Sequence, residues 1–284
     1  MIQKVVVFGG NGFLGKRICQ QAVLNGLQVV GLSRSGKAPQ ALGNDKYWIK
    51  EVSWKSANVF QPDTYKEHLQ DATDVVDTIG ILLENENYKK GIRDGFSLSS
   101  LLPLPTLSRN PLLSSTPDKP VHNPDFNYKR MNTESAMVLA DTFRSILQNR
   151  EFDPSVKPSF SYVSADRGFA MVPSGYINSK RRAEDYLLNQ SYSDESPFRS
   201  IIIRPGFMFD ELKTTQFNDL RTVMHDAIEV LNCANKLVLR KQCKQVNNLI
   251  RPTISTQQVG RALVEKIKDN GFNGIVGLDE LLKG

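Results

Sequence analysis

Val5-Val6-Val7-Phe8-Gly9-Gly10-Asn11-Gly12-Phe13-Leu14-Gly15 is a β-branched apolar run that breaks into a glycine cluster. Gly10, Gly12 and Gly15 fit G-x-G-x-x-G, and Gly9, Gly12 and Gly15 fit G-x-x-G-x-x-G. Residues 16–24 follow with a helical pattern that points Ile18, Ala22 and Leu24 at a sheet. Glycine tolerates φ > 0 and lets the backbone approach a ligand closely. The helix behind it aims unpaired N–H groups and the positive end of its dipole at the same spot. Strand, glycine loop and helix in this order form a dinucleotide-binding fingerprint. The competing reading is a tight glycine turn with no ligand.

Strand and helix patterns alternate through the rest of the chain, which predicts a parallel sheet covered on both faces. Strands are expected at 5–8, 27–32, 52–60, 74–82, 160–164, 200–204 and 274–278. Helices are expected from Pro62 to Leu69, from Tyr128 to Leu147, from near Tyr176 to Leu188, and from Ser255 to Ile267. The fold class is α/β, a doubly wound parallel sheet with a small C-terminal part on the substrate side. The chain reads as a single domain, with 207–284 as that part and 84–125 as an insertion. The insertion is rich in proline, which excludes a continuous helix. It is either a mobile insertion or a lid or docking segment. Residues 217–239 carry an apolar stripe that lines a pocket or simply faces the core.

The chain has 284 residues and a net charge of +6, with basic residues spread along its length. A soluble basic protein with no nucleic-acid partner is expected. Cys19, Cys233 and Cys243 have no paired spacing, so neither a disulfide framework nor a metal site is expected. No run reaches the length of a membrane span. The first strand begins a few residues after Met1, so no presequence separate from the fold is expected.

Tyr176-Ile177-Asn178-Ser179-Lys180 puts a phenol and an ammonium on one helix face. Ser164 precedes them at the end of a strand, and Arg204-Pro205-Gly206 ends the next one. Ligands of open α/β sheets bind at such strand ends. Hydride transfer to a carbonyl leaves an alkoxide that needs a proton. A free phenol holds its proton up to a pKa near 10. A lysine charge about 4 Å away, at an effective dielectric of about 20, contributes about 4 kcal/mol, roughly three pKa units. That brings the phenol into the range of efficient acid–base work. Ser164 would hold the carbonyl oxygen. The competing reading makes Tyr176 an amphipathic core residue with Lys180 in solvent.

The second strand ends in Ser33-Arg34-Ser35-Gly36-Lys37. A site for NAD usually has a carboxylate there for the ribose hydroxyls. Arginine suits a 2′-phosphate instead, and Lys37 and Arg17 could add charge. NADP(H) is therefore favoured over NAD(H), unless Arg34 is only a solvated loop residue.

These residues, with Asn132 in the long helix, resemble the atypical or extended short-chain dehydrogenase/reductases. The resemblance spans most of the chain. It is strongest in the branch that contains the nucleotide-binding accessory subunit of respiratory complex I and fungal mitochondrial proteins of coenzyme Q synthesis. The runs that carry it are 7–37, 80–88, 173–180, 204–210 and 249–253. The resemblance implies an NAD(P)-binding Rossmann fold with Ser164, Tyr176 and Lys180 as catalytic residues. The cofactor would be held by Gly9, Gly10, Asn11, Gly12, Phe13, Leu14, Gly15, Ser33, Arg34, Lys37, Asn58, Val59, Gly80, Tyr176, Lys180, Pro205 and Gly206. It further implies ubiquinone biosynthesis in mitochondria, on the matrix side and peripheral to the inner membrane. Partners would be proteins of the coenzyme Q synthesis complex and a lipophilic quinone-type substrate. A catalytically silent, cofactor-stabilised subunit of that complex is the alternative. Two positions depart from the family pattern: Asn58 replaces an aspartate, and Asp77 puts a carboxylate near the cofactor phosphates unless it faces away.

Overall fold

The computed structural model describes residues 3–41, 45–82, 84, 125–150, 156–167, 172–191, 196–211 and 251–283. Its centre is β1 (Lys4–Phe8), in which every residue is buried. Val5 and Val7 enter one apolar cluster, and Val6 and Phe8 enter the other. A strand covered on both faces has no need of polar alternation, which is why this run is almost purely apolar.

Chain order continues with α1 (Gly15–Leu24), β2 (Gln28–Ser33), α2 (Asp45–Lys50), β3 (Val52–Ser56), α3 (Lys66–Leu69) and β4 (Asp74–Asp77). Next come α4 (Ser135–Gln148), β5 (Ser159–Val163), α5 (Ser174–Ser191), β6 (Arg199–Ile203), β7 (Met208–Phe209) and β8 (Ile254–Ser255). The described chain closes with α6 (Thr256–Lys268), β9 (Gly274–Val276) and α7 (Leu278–Leu281). Seven strands form one sheet in the order β3-β2-β1-β4-β5-β6-β9, and all six pairings are parallel. The expected doubly wound α/β sheet is what the chain forms. β7 and β8 make a separate two-stranded pair.

Ile18 and Ala22 of α1 join Val259, Leu263 and Ile267 of α6 on the face that takes Val5 and Val7. Tyr65, Leu69, Leu139, Phe143, Ala183 and Leu187 cover the opposite face from α3, α4, α5 and the turn before α3. Strand order reverses between β1 and β4, so the crevice at their carboxyl ends is a topological switch point.

Several boundaries differ from the sequence reading. Leu24 does not face the sheet; it is 66% exposed at the end of α1. β3 stops at Ser56 and β4 at Asp77, well short of 60 and 82. The Asp77 carboxylate accepts the Ile79 N–H at 2.8 Å, a local side-chain bond that competes with the strand ladder. The long helix opens with a π-helical turn, Lys129–Glu134, before α4. β9 ends at Val276, and Leu278 instead starts α7. The short helix α2 and the β7–β8 pair were not anticipated. α6 has a full capping box between Ser255 and Gln258, which fixes its start where the sequence placed it. The interior of the 84–125 insertion and the 217–239 stripe lie outside the described residues.

Candidate functional site

The glycine turn is closed mainly by backbone. Gly9 adopts φ +77°, and the N–H groups of Gly9 and Gly10 both donate to the Leu32 carbonyl, at 2.8 and 3.1 Å. Gly12 N–H donates to the Gly9 carbonyl at 2.8 Å. A Cβ on Gly10 would stand 2.9 Å from the Gly31 Cα, and one on Gly15 would overlap the Gly9 carbonyl. Leu14 is buried in the core, so the turn is anchored beside its own tip. α1 starts there with no side-chain cap and no acidic residue in its first turn. Its positive end points at the turn, and the Lys16 and Arg17 N–H groups donate to the Gly12 and Leu14 carbonyls at 3.2 and 2.9 Å.

Asn11 ties this turn to the loop after β2, donating to Ser35 Oγ and to the Lys37 carbonyl, both at 3.2 Å. Ser33 Oγ accepts the Gly36 N–H, and Ser56 Oγ donates to the Arg34 carbonyl. Gly36 sits at φ +63° against the Ser56 backbone. The loop backbone is thus fully clamped while the side chains of Arg34 and Lys37 stand exposed. Among the described residues neither cation has an ion-pair partner. Arg17 is different. It is wholly buried and paired with Asp45 and Asp210, so it is not available to a phosphate. Asn58 Oδ1 accepts the Phe60 N–H at 3.2 Å. Val59 is buried in the core, with its carbonyl taken by the Tyr65 hydroxyl.

At the end of β4 the chain passes close to α5. A Cβ on Gly80 would stand 2.9 Å from Lys180 Nζ and 3.0 Å from Asn132 Oδ1. Asn132, in the π-helical turn, accepts the Ile81 N–H at 2.8 Å and donates to Ser179 Oγ at 3.0 Å. Lys180 is buried; its ammonium donates to the Val163 carbonyl at 2.8 Å and lies 4.6 Å above the Tyr162 ring. Tyr162 donates its hydroxyl to the Asn132 carbonyl at 2.7 Å. Burial pushes that phenol well above its usual range.

Asp77 pairs in register with Tyr162 and is wholly buried. Burial lifts its carboxyl to about 6, against the opposing pull of the Ile79 N–H and the Lys180 charge. Its Oδ2 has no hydrogen-bond partner among the described residues.

Tyr176 lies in the first turn of α5, half-buried, with its ring 6.3 Å from that of Tyr128. Lys180 follows one turn later on the same helix. The third expected member behaves otherwise. Ser164 is buried, and its Oγ accepts from Arg181 Nη1 at 3.1 Å. Arg181 also donates to Glu184 Oε1 at 2.5 Å, and Arg204 Nε donates to both Glu184 oxygens at 3.0 and 3.1 Å. Pro205 gives its carbonyl to the Asp166 N–H, and Gly206 allows the chain past Leu278 and the Pro252 carbonyl. Sequence reasoning missed Tyr162, Arg181 and Glu184. The i, i+3 spacing of Arg181 and Glu184 was a readable pair, whereas nothing local marked Tyr162.

No family model matches the chain. It is 48% identical over 290 residues to the MIOREX complex component 2 of Saccharomyces cerevisiae, covering 100% of both chains. It is 25% identical over 285 residues to a chloroplastic protein of Arabidopsis thaliana, covering 98% of this chain and 76% of that one. Among solved structures, Cj0485 dehydrogenase superposes with TM-score 0.60 at 11% identity, over 98% of this chain and 92% of the other. ElxO with NADP bound gives 0.58 at 12% identity over 100% of both chains. The Thermoplasma acidophilum aldohexose dehydrogenase gives 0.56 at 13% identity, over 98% and 91%. At these identities the shared property is the dehydrogenase-type fold.

Proposed function

The chain belongs to the family of the Saccharomyces cerevisiae MIOREX complex component 2, and from that premise we propose that it is an NADP(H)-binding, short-chain dehydrogenase-like component of a mitochondrial protein assembly. One observation carries the nucleotide reading. A glycine turn closed to any side chain sits at the switch point, next to a clamped loop that presents Arg34 and Lys37 to solvent. The backbone of residues 9–15 and the first turn of α1 would take the pyrophosphate. Ser33, Arg34 and Lys37 would take the 2′-phosphate, and Asn58 with Val59 would border the adenine. Gly80, Tyr176, Lys180, Pro205 and Gly206 would border the nicotinamide half. When bound, the dinucleotide supplies or accepts a hydride. Tyr176 would give the proton to the developing alkoxide, with the Lys180 charge stabilising the phenolate that remains.

The finer assignment is coenzyme Q biosynthesis. In it the protein acts with the coenzyme Q synthesis complex on a lipophilic ring intermediate, peripheral to the inner membrane on the matrix side. What supports it is the resemblance carried by runs 80–88, 173–180 and 249–253. No helix among the described residues is long and apolar enough to cross a membrane.

A second reading draws on one observation. Ser164 Oγ accepts from Arg181, which is itself held with Arg204 by Glu184; this structural use of the residue fits a cofactor-stabilised subunit that performs no turnover. Ligand binding to the folded state alone stabilises it by mass action.

Fluorescence titration of the purified chain with NADPH and NADH tests the nucleotide reading, and binding of neither overturns it. Quinone content of a deletion strain rescued with Tyr176→Phe or Lys180→Ala separates the two readings. Loss of rescue supports catalysis, and full rescue supports the silent subunit. A deletion strain with normal quinone content removes the coenzyme Q assignment.

A further inference from the structure

Directly after Gly15, two cations are held by carboxylates that arrive from far along the chain. Arg17 is wholly buried. Its Nη1 donates to Asp45 Oδ1 at 2.9 Å, and its Nη2 to Asp210 Oδ1 at 3.1 Å and Oδ2 at 3.3 Å. Lys16 Nζ lies 2.7 Å from Asp210 Oδ2. Gln257 of α6 donates to Asp210 Oδ1 at 3.1 Å, and Trp48 of α2 donates to Asp45 Oδ1 at 3.0 Å. The cluster has two cations and two carboxylates, none with a side chain more than 10% exposed.

Cations in the first turn of a helix oppose its dipole. A guanidinium stripped of water also needs a counter-charge to be tolerated at all. Asp210 supplies it to both Lys16 and Arg17, from a position 193 residues beyond Arg17. Burial pushes the Asp210 carboxyl up, but Lys16 and Arg17 outweigh it and hold it below the usual range, so it is ionised at neutral pH. Asp210 directly follows β7, which pairs with β8 outside the main sheet. β8 leads into α6, which lies against α1 so closely that a Cβ on Gly260 would be 3.0 Å from the Arg17 carbonyl. The helix start that faces the phosphates is therefore bolted to the β7–β8 pair by one carboxylate.

We propose that Asp210 is a positioning residue of the dinucleotide site: it fixes the first turn of α1 against the glycine turn and couples NADP(H) occupancy to the β7–β8 pair. This rests on the dinucleotide reading above. Coupling between two sites is reciprocal, so a carboxylate that steadies the phosphate-binding turn is itself steadied when the phosphates bind.

Hydrogen exchange by mass spectrometry, on the full chain with and without saturating NADPH, tests this. The wild type should exchange about five-fold or more slowly at 206–211 and 251–258 when NADPH is bound, the lower end of usual coupling energies. Asp210→Asn should bind NADPH about ten-fold more weakly and lose that protection at saturation. Should Asp210→Asn fail to fold, Lys16→Met removes one arm while Arg17 keeps its counter-charges, and it should reduce both effects. Unchanged exchange at β7–β8 in NADPH-loaded wild type overturns the coupling, as does wild-type affinity in both variants. Absence of NADPH binding to the wild type overturns the dinucleotide reading itself, and the proposal with it.

Discussion

The carboxyl edge of the sheet is built by two different means. At the β1–β2 end the architecture is mainly backbone: Gly10, Gly12 and Gly15 approach Gly31 of β2 or Gly9 too closely for any Cβ, and Gly9 meets the Thr78 hydroxyl. The nearby cations Arg34 and Lys37 are left to solvent. At the β5–β6 end the architecture is side chains, and they are spent on one another. Arg181 serves Ser164 and Glu184, Arg204 serves Glu184, and Lys180 serves the Val163 carbonyl. The first end presents backbone and exposed cations rather than paired side chains, the arrangement the proposed anion would use. At the second, Arg181 donates to Ser164 Oγ and leaves the serine O–H as the group that would donate to a carbonyl oxygen. On the proposed reading, binding and chemistry would rest on separate parts of the edge, and substitutions should affect them separately.

The largest effect should come from Gly15→Val. Its Cβ would overlap the Gly9 carbonyl, so the turn and the start of α1 cannot both persist. NADPH affinity should fall by about a thousand-fold or more, about 4 kcal/mol, in a fluorescence titration. Gly26→Ala is the control. Gly26 also has positive φ, at +74°, but no atom lies within 4 Å of an added Cβ. It should cost about 1 kcal/mol of stability and leave binding unchanged. Equal loss in both variants would erase the distinction drawn for the glycine turn.

At the other end Glu184→Gln should be expensive for stability and cheap for binding. The carboxylate is buried between Arg181 and Arg204. Removing its charge strands two guanidinium groups, a change that costs about 3–5 kcal/mol in buried pairs. Both arginines keep some contact with solvent, so the lower end, about 3 kcal/mol, is expected in urea unfolding. NADPH affinity should change by less than about three-fold, since the turn at residues 9–15 is remote in the sheet order. A parallel loss of both would show that the two ends act as one.

Asp77, beneath Lys180, gives a pH signature between these extremes. Burial raises its carboxyl from 3.8 to about 6. Between those values the folded protein keeps a proton that the unfolded chain has lost. The stabilisation is complete below about pH 4 and is lost as pH rises through about 6. A shift of about two units is worth about 2–3 kcal/mol. Unfolding free energy should decline across that window in wild type, after subtraction of the Asp77→Asn profile. Coincident profiles would mean that folding does not raise the Asp77 carboxyl.

The legible parts of the molecule are those decided by local pattern. The apolar run of β1, the glycine spacing, the proline at the 62–64 turn and the Ser255–Gln258 box each work within a few residues. What the sequence hid is decided at long range. Arg17 reads as a free cation beside a phosphate site until Asp210 and Asp45 arrive from elsewhere to bury it. Ser164 reads as an open hydroxyl until α5 lays Arg181 across it. α2 spans only six residues, and its Asp45 is fixed by Arg17 from another helix as well as by its own i, i+3 partner Trp48. Leu24 was placed on the sheet by spacing alone, but α1 turns it to solvent at its last residue.

The smallest expected effect is also the most selective. Arg34 is exposed, and its loop is clamped by Asn11, Ser33 and Ser56 without using the guanidinium. Arg34→Ala should therefore leave stability within about 0.5 kcal/mol, as for other surface changes. A bidentate arginine–phosphate contact is worth more than a neutral hydrogen bond, but an exposed one is screened by salt. NADPH affinity should fall about ten-fold, about 1.4 kcal/mol, while NADH affinity stays as it was. Because the contact is between full charges, the NADPH-to-NADH ratio of wild type should shrink as salt is raised, and that of Arg34→Ala, which keeps only Lys37, should shrink less. A ten-fold loss for both nucleotides would place Arg34 at the pyrophosphate. No loss for either would leave it a solvated loop residue and move 2′-phosphate recognition to Lys37.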